Sequence, residues 1–338
     1  MAVIRVAING FGRIGRNAFK IASANPSLEV VAINDLTDTV TLAHLLKHDS
    51  NYGAYHKEVS SDPTHLIVDG RSIEVLAIKE PTRLPWAKLS VDVVIESTGR
   101  FTKHTDLKQH LIAGAKRVVL SAPEKDDRFG DTYVIGANDS DLQPHHTIVS
   151  NASCTTNCIA PLMAVLEKEL GVEKSLMTTV HSYTASQMLQ DGPAKDLREA
   201  RSAAENIVPT TTGAAIAAAL TVPSLKGKFD GMSIRVPTPV VSISDITFVS
   251  KKKTTIDEVN TILRQAGDTT HRGIIRVCDE ELVSSDYVGD PHSAIVDSKL
   301  TNVVEGDLVK VVAWYDNEWG YSNRLVEMVE LVGKAIGK

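Results

Sequence analysis

Short apolar runs alternate with amphipathic stretches over the first half of the chain. Residues 3–8 and 29–33 are apolar runs of strand length, and residues 14–22 between them carry apolar side chains at helical spacing. A helical pattern also covers residues 106–115. Similar apolar runs predict further strands at residues 73–78, 91–96, 118–120, 134–136 and 147–149. This alternation predicts an α/β domain built on a doubly wound parallel sheet.

The pattern changes in the second half of the chain. Helical patterns at residues 213–220 and 256–266 lie between longer apolar runs, and a last amphipathic stretch covers residues 322–332. The longer runs predict strands at residues 175–181, 231–236, 240–249 and 308–314. We expect these strands to pair antiparallel for the most part. This half therefore predicts an α+β domain with a mainly antiparallel sheet.

A glycine-rich turn follows the first predicted strand and opens the first predicted helix. Its pattern is G-x-G-x-x-G, and Asp35 lies twenty residues beyond the last glycine, where the second apolar run ends. In this context the motif predicts a dinucleotide-binding (Rossmann) fingerprint, with the pyrophosphate at the helix N-terminus. The alternative is a glycine-rich turn in some other α/β domain. The predicted cofactor-binding residues of the turn are Gly10, Phe11, Gly12, Arg13, Ile14 and Gly15.

Asp35 also bears on the choice of cofactor. A carboxylate at this position accepts hydrogen bonds from the ribose hydroxyls of adenosine but repels a 2′-phosphate. We therefore predict that the cofactor is NAD and not NADP.

Cys154 lies at a predicted junction between a strand and a helix. The apolar run at residues 147–149 precedes it, and apolar side chains at helical spacing follow it. The positive end of a helix favours a thiolate, so we expect a lowered pKa and a nucleophilic role for Cys154. Pro161 is expected to kink or interrupt this helix. The alternative interpretation is a buried structural thiol, although the flanking Ser and Thr hydroxyls are not typical of one.

Composition narrows the range of functions. The 338 residues are enough for about two domains. A net charge of -6 argues against a general nucleic-acid or membrane surface, no apolar run is long enough to span a membrane, and the start of the chain does not resemble a signal peptide. Three cysteines do not form a disulfide framework and indicate a reducing compartment. Cys154 and Cys158 are four residues apart, with no second Cys or His pair at ligand spacing, so no metal is predicted.

The segment Ser-Asn-Ala-Ser-Cys-Thr-Thr-Asn-Cys at residues 150–158 resembles the active-site signature of the phosphorylating glyceraldehyde-3-phosphate dehydrogenases. Further matching stretches run from Asn9 to Arg324. The resemblance implies an NAD-binding domain at residues 1–151 with 316–338, whose C-terminal helix packs back on it, and a catalytic domain at residues 152–315. It also implies a homotetramer and a cytoplasmic enzyme.

The resemblance further implies roles for individual residues. The imidazole of His181 is expected to pair with Cys154 and to act as a base. Asn317 is expected to orient the nicotinamide ring. Additional cofactor-binding residues implied by the resemblance are Lys79, Thr98, Gly99 and Ser121. The implied substrate- and phosphate-binding residues are Ser153, Thr155, Thr184, Arg198, Thr212, Gly213 and Arg235.

Two of these residues have competing local interpretations. Arg235 lies in an apolar strand pattern, where a guanidinium needs an anionic partner, and a structural salt bridge would also supply one. Arg198 lies in a charged stretch that fits an ordinary solvated, ion-paired segment. Two anion sites would suit one phosphorylated substrate and one attacking phosphate.

The resulting expectation is oxidation of glyceraldehyde 3-phosphate to 1,3-bisphosphoglycerate, with NAD and inorganic phosphate, through a covalent intermediate on Cys154. The alternatives within the same chemistry are an erythrose-4-phosphate dehydrogenase and an NADP-preferring gluconeogenic relative. A non-catalytic NAD-binding regulatory or adhesive protein is a further alternative. A thiol-redox protein fits less well, because the cysteines at 154 and 158 are spaced C-x-x-x-C and not C-x-x-C.

Overall fold

A computed structural model describes residues 3–125 and 131–336 of the chain. The chain forms two compact units. The first consists of residues 1–133, 140–152 and 322–338, and the second of residues 134–139 and 153–321.

The helices and strands follow one another in the order that the hydrophobic pattern suggests, with additional short strands. The elements up to residue 150 are β1 (Ile4–Asn9), α1 (Arg13–Ala22), β2 (Leu28–Asn34), α2 (Thr39–Lys47), β3 (His48–Asp49), β4 (Gly53–Ala54), β5 (Val59–Asp62), β6 (His65–Val68), β7 (Arg71–Leu76), β8 (Val93–Glu96), α3 (His104–Ile112), β9 (Arg117–Leu120) and β10 (Ile148–Ser150). The later elements are α4 (Cys154–Glu169), β11 (Val172–Ser182), β12 (Val208–Thr211), α5 (Ala214–Thr221), β13 (Phe229–Val236), β14 (Ser242–Ser250), α6 (Ile256–Asp268), β15 (Ile275–Cys278), β16 (Ala294–Asp297), β17 (Asn302–Val304), β18 (Leu308–Tyr315) and α7 (Trp319–Lys334).

The first unit contains an eight-stranded sheet in the order β10-β9-β8-β1-β2-β7-β6-β5. The strands from β10 to β7 pair in parallel, and β6 and β5 form an antiparallel edge. Val6, Ala7 and Ile8 of β1 are fully buried, as expected for a parallel strand covered on both faces. The strand order reverses between β1 and β8, and ligands of such sheets bind at the carboxyl ends of the strands beside that point. The prediction of a doubly wound parallel sheet is confirmed.

One predicted strand of the first half is wrong. Residues 134–136 form a turn, in which Gly136 has φ +84°. The backbone N–H of Val134 donates to the Asn138 side chain at 2.9 Å, and that of Gly136 donates to Asp139 at 2.8 Å. These local side-chain acceptors replace the partners that a sheet would supply.

The second unit contains an eight-stranded sheet with seven strands in the order β12-β13-β11-β14-β18-β16-β15, and β17 pairs with β18. Most pairs are antiparallel, which confirms the predicted sheet type. However, β11 pairs with β13 in parallel, and β15 pairs with β16 in parallel. The sequence predicted β11 and β13 as antiparallel-type strands, because strand length alone does not reveal the direction of a partner that is distant in the chain.

Helix α4 begins at Cys154, and the side chain of Ser153 caps it by accepting a hydrogen bond from the Thr156 N–H at 3.0 Å. The expected interruption at Pro161 does not occur, because the helix continues to Glu169. A proline costs a helix interior about 3 kcal/mol. Burial along this helix outweighs that cost: Ala160 and Leu162, which flank the proline, are fully buried, and every residue from Thr155 to Met163 is buried.

Residues 322–334 of helix α7 belong to the first unit. At Gly333 an added Cβ would lie 2.7 Å from Cδ1 of Ile4, so this end of the helix packs closely on β1. No helix in the described part of the chain combines the length and apolar character needed to cross a membrane.

Candidate active site

A cavity of about 650 Å³ opens in the first unit at the carboxyl ends of β1, β2 and β8. This is the position expected for a ligand of a doubly wound sheet. Five of the predicted cofactor-binding residues line it, namely Gly10, Gly12, Asp35, Lys79 and Thr98. Among the described residues, its lining does not include Phe11, Arg13, Ile14, Gly15, Gly99, Ser121 or Asn317.

The glycines of the turn each have a separate steric reason. Gly10 has φ +95°, and a Cβ there would lie 2.6 Å from the Thr98 nitrogen. A Cβ on Gly15 would lie 2.1 Å from the Gly10 carbonyl oxygen, so this glycine lets α1 pack against the turn. Gly12 lines the cavity, and a Cβ there would meet nothing within 4 Å. The space beside Gly12, at the start of α1, fits a pyrophosphate held by backbone N–H groups.

Asp35 is hydrogen-bonded to the glycine-rich turn. Its carboxylate accepts hydrogen bonds from the N–H of Phe11 at 2.8 Å and from the N–H of Thr37 at 3.0 Å. Phe11 itself is buried and packs edge-on against the Phe19 ring, so its side chain supports the turn. Arg13 pairs with Asp49 at 2.8 Å. The residues of this cavity therefore fit NAD, with a negative charge where NADP would carry its 2′-phosphate.

The second unit brings together the predicted nucleophile and base. Cys154 is the first residue of α4, and His181 lies near the end of β11. Their side chains meet with Sγ 3.4 Å from Nε2. His181 is buried and Cys154 is half-buried. A thiol at hydrogen-bond distance from an imidazole is the arrangement by which a cysteine nucleophile is activated.

Arg235 reaches the same pair from the neighbouring strand. It lies directly opposite His181 in the parallel pairing of β11 with β13. Its Nη1 is 2.5 Å from His181 Nδ1, and Nδ1 is also 2.7 Å from the carbonyl oxygen of Ser182. The carbonyl oxygen favours a proton on Nδ1, whereas the guanidinium can only donate and favours a lone pair there. In the tautomer with the proton on Nδ1, the Nε2 lone pair faces the thiol. Arg235 thus contacts the imidazole, and neither of its sequence-based interpretations anticipated this contact.

The environment of the pair shifts both pKa values. Burial raises the pKa of the Cys154 thiol, and it outweighs the charge of Arg235 and the hydrogen bonds from Thr155, which lower it. Burial and the charge of Arg235 together hold the pKa of His181 below its ordinary value. Both shifts favour a neutral thiol beside a neutral imidazole. The expected lowering of the thiol pKa by the helix start is therefore wrong, because burial has the larger effect.

Tyr315 lies beneath this pair and was not among the predicted residues. Its hydroxyl bonds to Thr155 Oγ1 at 2.9 Å and to Thr179 Oγ1 at 2.8 Å, and its ring meets that of His181 edge-on. The hydroxyl of Thr155 is thereby engaged inside the protein. Tyr315 lies in the polar-aromatic segment at residues 314–321, which could have indicated a residue of the site. Its composition indicated only a packed loop.

Asn317 is buried, and its side-chain oxygen accepts a hydrogen bond from the hydroxyl of Ser242 at 3.0 Å. This bond leaves the amide N–H₂ to donate elsewhere. Ser242 is a second residue that sequence analysis missed. The small hydroxyl side chains of Ser242 and Ser244, which fall on the buried side of β14, were the available signal.

The remaining predicted phosphate-binding residues lie on loops of the second unit. Thr184 bonds through its hydroxyl to Ser186 at 2.8 Å, and the side chain of Arg198 is exposed. Thr212 accepts a hydrogen bond from the Ala214 N–H at 3.2 Å, and Gly213 precedes helix α5. Within the described residues, no hydrogen bond joins these four to Cys154 or His181. Ser153, Thr155 and Arg235, by contrast, lie around the pair.

Within residues 3–125 and 131–336, no group of three or more His, Cys, Asp or Glu side chains is arranged to hold a metal ion.

A Rossmann cofactor cavity in one unit and a cysteine–histidine pair in the other are characteristic of dehydrogenases that use a cysteine nucleophile. Residues 4–104 match the family described as glyceraldehyde 3-phosphate dehydrogenase, NAD binding domain, and residues 153–317 match its C-terminal domain. The chain belongs to the glyceraldehyde-3-phosphate dehydrogenase family.

Individual relatives are similar over nearly the whole chain. The chain is 52% identical to the glyceraldehyde-3-phosphate dehydrogenase of Geobacillus stearothermophilus over 330 residues, which cover 97% of this chain and 98% of that one. It is 53% identical to the enzyme of Mycobacterium tuberculosis (strain ATCC 25618 / H37Rv) over 340 residues, which cover 98% and 99% of the two chains. It is 50% identical to glyceraldehyde-3-phosphate dehydrogenase 1 of Bacillus subtilis (strain 168) over 332 residues, which cover 98% of each.

Proposed function

We propose that this protein oxidises glyceraldehyde 3-phosphate to 1,3-bisphosphoglycerate in glycolysis, with NAD as the cofactor and inorganic phosphate as the second substrate. The observation that carries the proposal is the separation of 3.4 Å between Cys154 Sγ and His181 Nε2, beside the guanidinium of Arg235. A sulfur nucleophile suits this reaction, because a thioester preserves the energy of aldehyde oxidation for transfer to phosphate.

The residues of the pair carry the proton transfers. With the imidazole proton on Nδ1, the Nε2 lone pair of His181 takes the thiol proton as Cys154 Sγ bonds to the aldehyde carbon. The imidazolium then passes this proton to the aldehyde oxygen, which gives a thiohemiacetal and restores the neutral imidazole. His181 then removes the proton of the thiohemiacetal hydroxyl as the carbon loses hydride. Inorganic phosphate attacks the resulting thioester, the carbon–sulfur bond breaks, and the acyl phosphate leaves the Cys154 sulfur free.

NAD, when bound, accepts the hydride. The Gly10–Gly15 turn and Asp35 would hold its pyrophosphate and adenosine ribose, together with Lys79 and Thr98 of the cavity lining. We also assign Gly99 and Ser121 to cofactor binding, although neither lines the cavity. Asn317 would orient the nicotinamide carboxamide through the amide N–H₂ that its bond to Ser242 leaves available.

Cationic and hydroxyl groups would hold the two phosphates. Arg235 supplies a partly buried positive charge beside the pair. The further residues that we assign to phosphate binding are Ser153, Thr155, Thr184, Arg198, Thr212 and Gly213. The two anion sites would serve the phosphate of the aldehyde and the attacking inorganic phosphate.

The assay follows the absorbance of reduced nicotinamide with glyceraldehyde 3-phosphate, NAD and inorganic phosphate. Parallel samples replace the aldehyde with erythrose 4-phosphate, or NAD with NADP. Fast reduction that requires phosphate and occurs only with the first combination is the expected result. A preference for erythrose 4-phosphate or NADP would move the protein to one of the two alternative activities. Folded protein that reduces neither cofactor would support the non-catalytic alternative.

Replacement of the nucleophile tests the covalent route. Cys154→Ser should abolish turnover, because an alcohol is a far poorer nucleophile and cannot form the thioester. NAD binding, measured by calorimetry, should be largely unchanged, since the cavity lining does not include this residue. Turnover close to that of the wild type would exclude the mechanism.

We also propose the domain assignment, the assembly and the location of the protein. Residues 1–151 with 316–338 would form the NAD-binding domain, and residues 152–315 the catalytic domain; the compact units described above support this division. A homotetramer is supported by an apolar face on the second sheet, where Leu176, Ile216 and Leu308 are exposed around one cavity. A cytoplasmic location is consistent with three cysteines that form no disulfide in the structure.

A further inference from the structure

Three polar residues end neighbouring strands beneath the cofactor cavity. Glu96 ends β8, Asn9 ends β1 and Asn34 ends β2, and the strand pairing places Asn9 directly opposite both of the others. We call these three residues the polar row. All three are buried, and Glu96 is 0% exposed. A carboxylate so completely removed from water must be held by hydrogen-bond donors.

One end of the polar row is fixed by the backbone. The N–H of Ile78 donates to Asn34 Oδ1 at 2.9 Å, and Asn34 Nδ2 donates to the carbonyl oxygen of Ile78 at 2.9 Å. These bonds allow only one orientation of the Asn34 amide. Its Nδ2 therefore also donates to Asn9 Oδ1, at 2.7 Å, and Asn9 must turn its own Nδ2 towards Glu96 Oε2, at 2.5 Å.

The other end is fixed by an indole. Trp86 Nε1 can only donate, and it donates to His110 Nδ1 at 3.1 Å. The proton of the neutral imidazole is therefore on Nε2, which lies 3.0 Å from Glu96 Oε2. Trp86 and His110 are fully buried and do not line the cavity.

The Glu96 carboxylate accepts hydrogen bonds from Asn9, from His110 and from Thr98 in the cavity wall. Its Oε1 accepts hydrogen bonds from the Thr98 N–H at 2.8 Å and from the Thr98 hydroxyl at 2.5 Å. The carboxylate thus accepts four hydrogen bonds. The N–H groups of Asn9, His110 and Thr98 can only donate, whereas the Thr98 hydroxyl donates to Glu96 and also accepts from the Arg100 N–H at 3.1 Å. Asn9, Asn34, Ile78 and Thr98 all line the cavity, whereas Glu96 does not.

We infer that Glu96 is a positioning residue for the cofactor. Its carboxylate fixes Thr98 and Asn9 in the orientations that shape the floor and wall of the cavity before NAD enters. The inference rests on the proposed NAD-dependent function. Glu96 lies outside the cavity lining but would contribute to the affinity for NAD, because it preorganises the residues that line the cavity.

Glutamine is the sharpest replacement, because it keeps the shape of the side chain. Whichever way its amide turns, an N–H₂ group replaces one oxygen and faces N–H donors: either the backbone N–H of Thr98, or the side-chain N–H groups of Asn9 and His110. Asn9 cannot turn its amide over, because Asn34 donates to its oxygen, and His110 cannot turn its ring over, because Trp86 donates to Nδ1. The conflict must therefore be relieved by displacement of a group that shapes the cavity.

The experiment measures the Kd of NAD by calorimetry, and the steady-state constants, for wild type and variants. We expect Glu96→Gln to raise the Kd and the KM for NAD by about ten-fold or more. The kcat at saturating NAD should stay within about two-fold of wild type, because the residue does not touch the reacting groups. An unchanged Kd in folded Glu96→Gln would overturn the inference.

Two sets of controls separate positioning from a general loss of stability. Glu124→Gln alters a second buried carboxylate with a histidine neighbour in the same unit, His104 at 3.4 Å, and should leave the Kd unchanged. His110→Gln can still accept from Trp86 and donate to Glu96, so it should bind NAD nearly as well as wild type, whereas His110→Leu should bind more weakly. An equal effect of Glu124→Gln and Glu96→Gln, or equal affinities of the two His110 variants, would contradict the role of Glu96.

The calorimetry also distinguishes this inference from the proposed reaction. A wild-type chain that binds NAD but oxidises none of the aldehydes would exclude the reaction and leave the test of Glu96 valid. If Glu96→Gln does not fold, the comparison of the two His110 variants decides the outcome.

Discussion

Arg235 influences both members of the cysteine–histidine pair through its charge. It lies against the imidazole nitrogen that faces away from the thiol. A fixed positive charge at this position stabilises a thiolate and disfavours an imidazolium, so it lowers the pKa of Cys154 and the pKa of His181. The same guanidinium is our candidate for binding a substrate phosphate.

Removal of this charge should shift the pH dependence of thiol reactivity. In Arg235→Gln the thiolate loses a stabilising charge and the imidazolium loses a repulsive one, so both pKa values should rise. The pH midpoint for alkylation of Cys154 by iodoacetamide should therefore move to higher pH than in wild type. Peptide mass spectrometry would confirm that Cys154 is the alkylated site.

Arg198→Gln is the matched control for this prediction. Arg198 is the other arginine assigned to phosphate binding, but its side chain is exposed and makes no recorded contact with the pair. Its alkylation midpoint should match that of wild type. A midpoint in Arg235→Gln that is unchanged, or lower, would contradict the electrostatic argument.

Individual residues of the site were predictable to different degrees. Cys154 was identified from its junction and its motif, and His181 from the resemblance around it. The contact between His181 and Arg235 was not predictable, because it depends on the parallel pairing of two strands that are distant in sequence. The pKa of Cys154 was predicted with the wrong sign, since burial cannot be read from the flanking residues.

At the scale of elements, the two glycines at the start of helix α1 differ in the space that a side chain would have. A Cβ on Gly15 would collide with the Gly10 carbonyl oxygen, whereas a Cβ on Gly12 would meet nothing within 4 Å. The two glycines of one motif therefore have different tasks: Gly15 allows the turn to pack, and Gly12 leaves room for a ligand.

A pair of alanine variants tests this division of tasks. Gly15→Ala should lower the free energy of unfolding by about 1–3 kcal/mol, because the methyl group is forced against the backbone. Gly12→Ala should change it by less than about 1 kcal/mol but should weaken NAD binding, since the methyl group occupies space beside the pyrophosphate. Urea denaturation and NAD titration measure the two effects. Equal destabilisation by both changes, or undiminished NAD binding by Gly12→Ala, would disprove the assignment.

Periodicity predicted the principal strands and helices well, but it failed where local chemistry or packing intervened. Residues 134–136 are apolar, yet the side chains of Asn138 and Asp139 capture their N–H groups in a turn. Helix α4 continues through Pro161 because of its burial, which the sequence of the helix does not reveal by itself. The edge hairpin of β5 and β6 was missed, since β5 is mostly polar and the apolar run of β6 is only three residues long.

At the scale of the whole molecule, the second sheet and helix α5 together present an apolar surface. Leu176 is 69% exposed and Ile216 is 60% exposed, and both line a cavity of about 860 Å³ together with Leu220 and Leu308. A contiguous apolar patch of this kind marks an interaction surface. A second copy of this chain is the occupant that the proposed tetramer requires.

Charged residues on this face should therefore disrupt assembly. Leu176→Glu and Ile216→Glu should each reduce the molar mass measured by light scattering below that of a tetramer, because transfer of a carboxylate from water into an apolar interface is costly. Ile112→Glu is the control: Ile112 is 74% exposed at the end of α3 and does not line the cavity. A tetramer that persists in both face variants, or a monomeric wild type, would contradict the proposal.

The parallel ladder between β11 and β13 also determines which changes in chain length the protein can accept. A shift of one residue along the ladder would place Ile234 or Val236 opposite His181 and remove Arg235 from the imidazole. Insertions or deletions within either strand should therefore be eliminated by selection. The connection between the strands, residues 183–228, can lengthen or shorten at its exposed loops without altering the ladder. Divergence among homologues, and insertion of new segments by design, should accordingly spare the two strands and the proposed phosphate-binding residues Thr184, Arg198, Thr212 and Gly213. Both should concentrate in the remaining exposed loops of the connection.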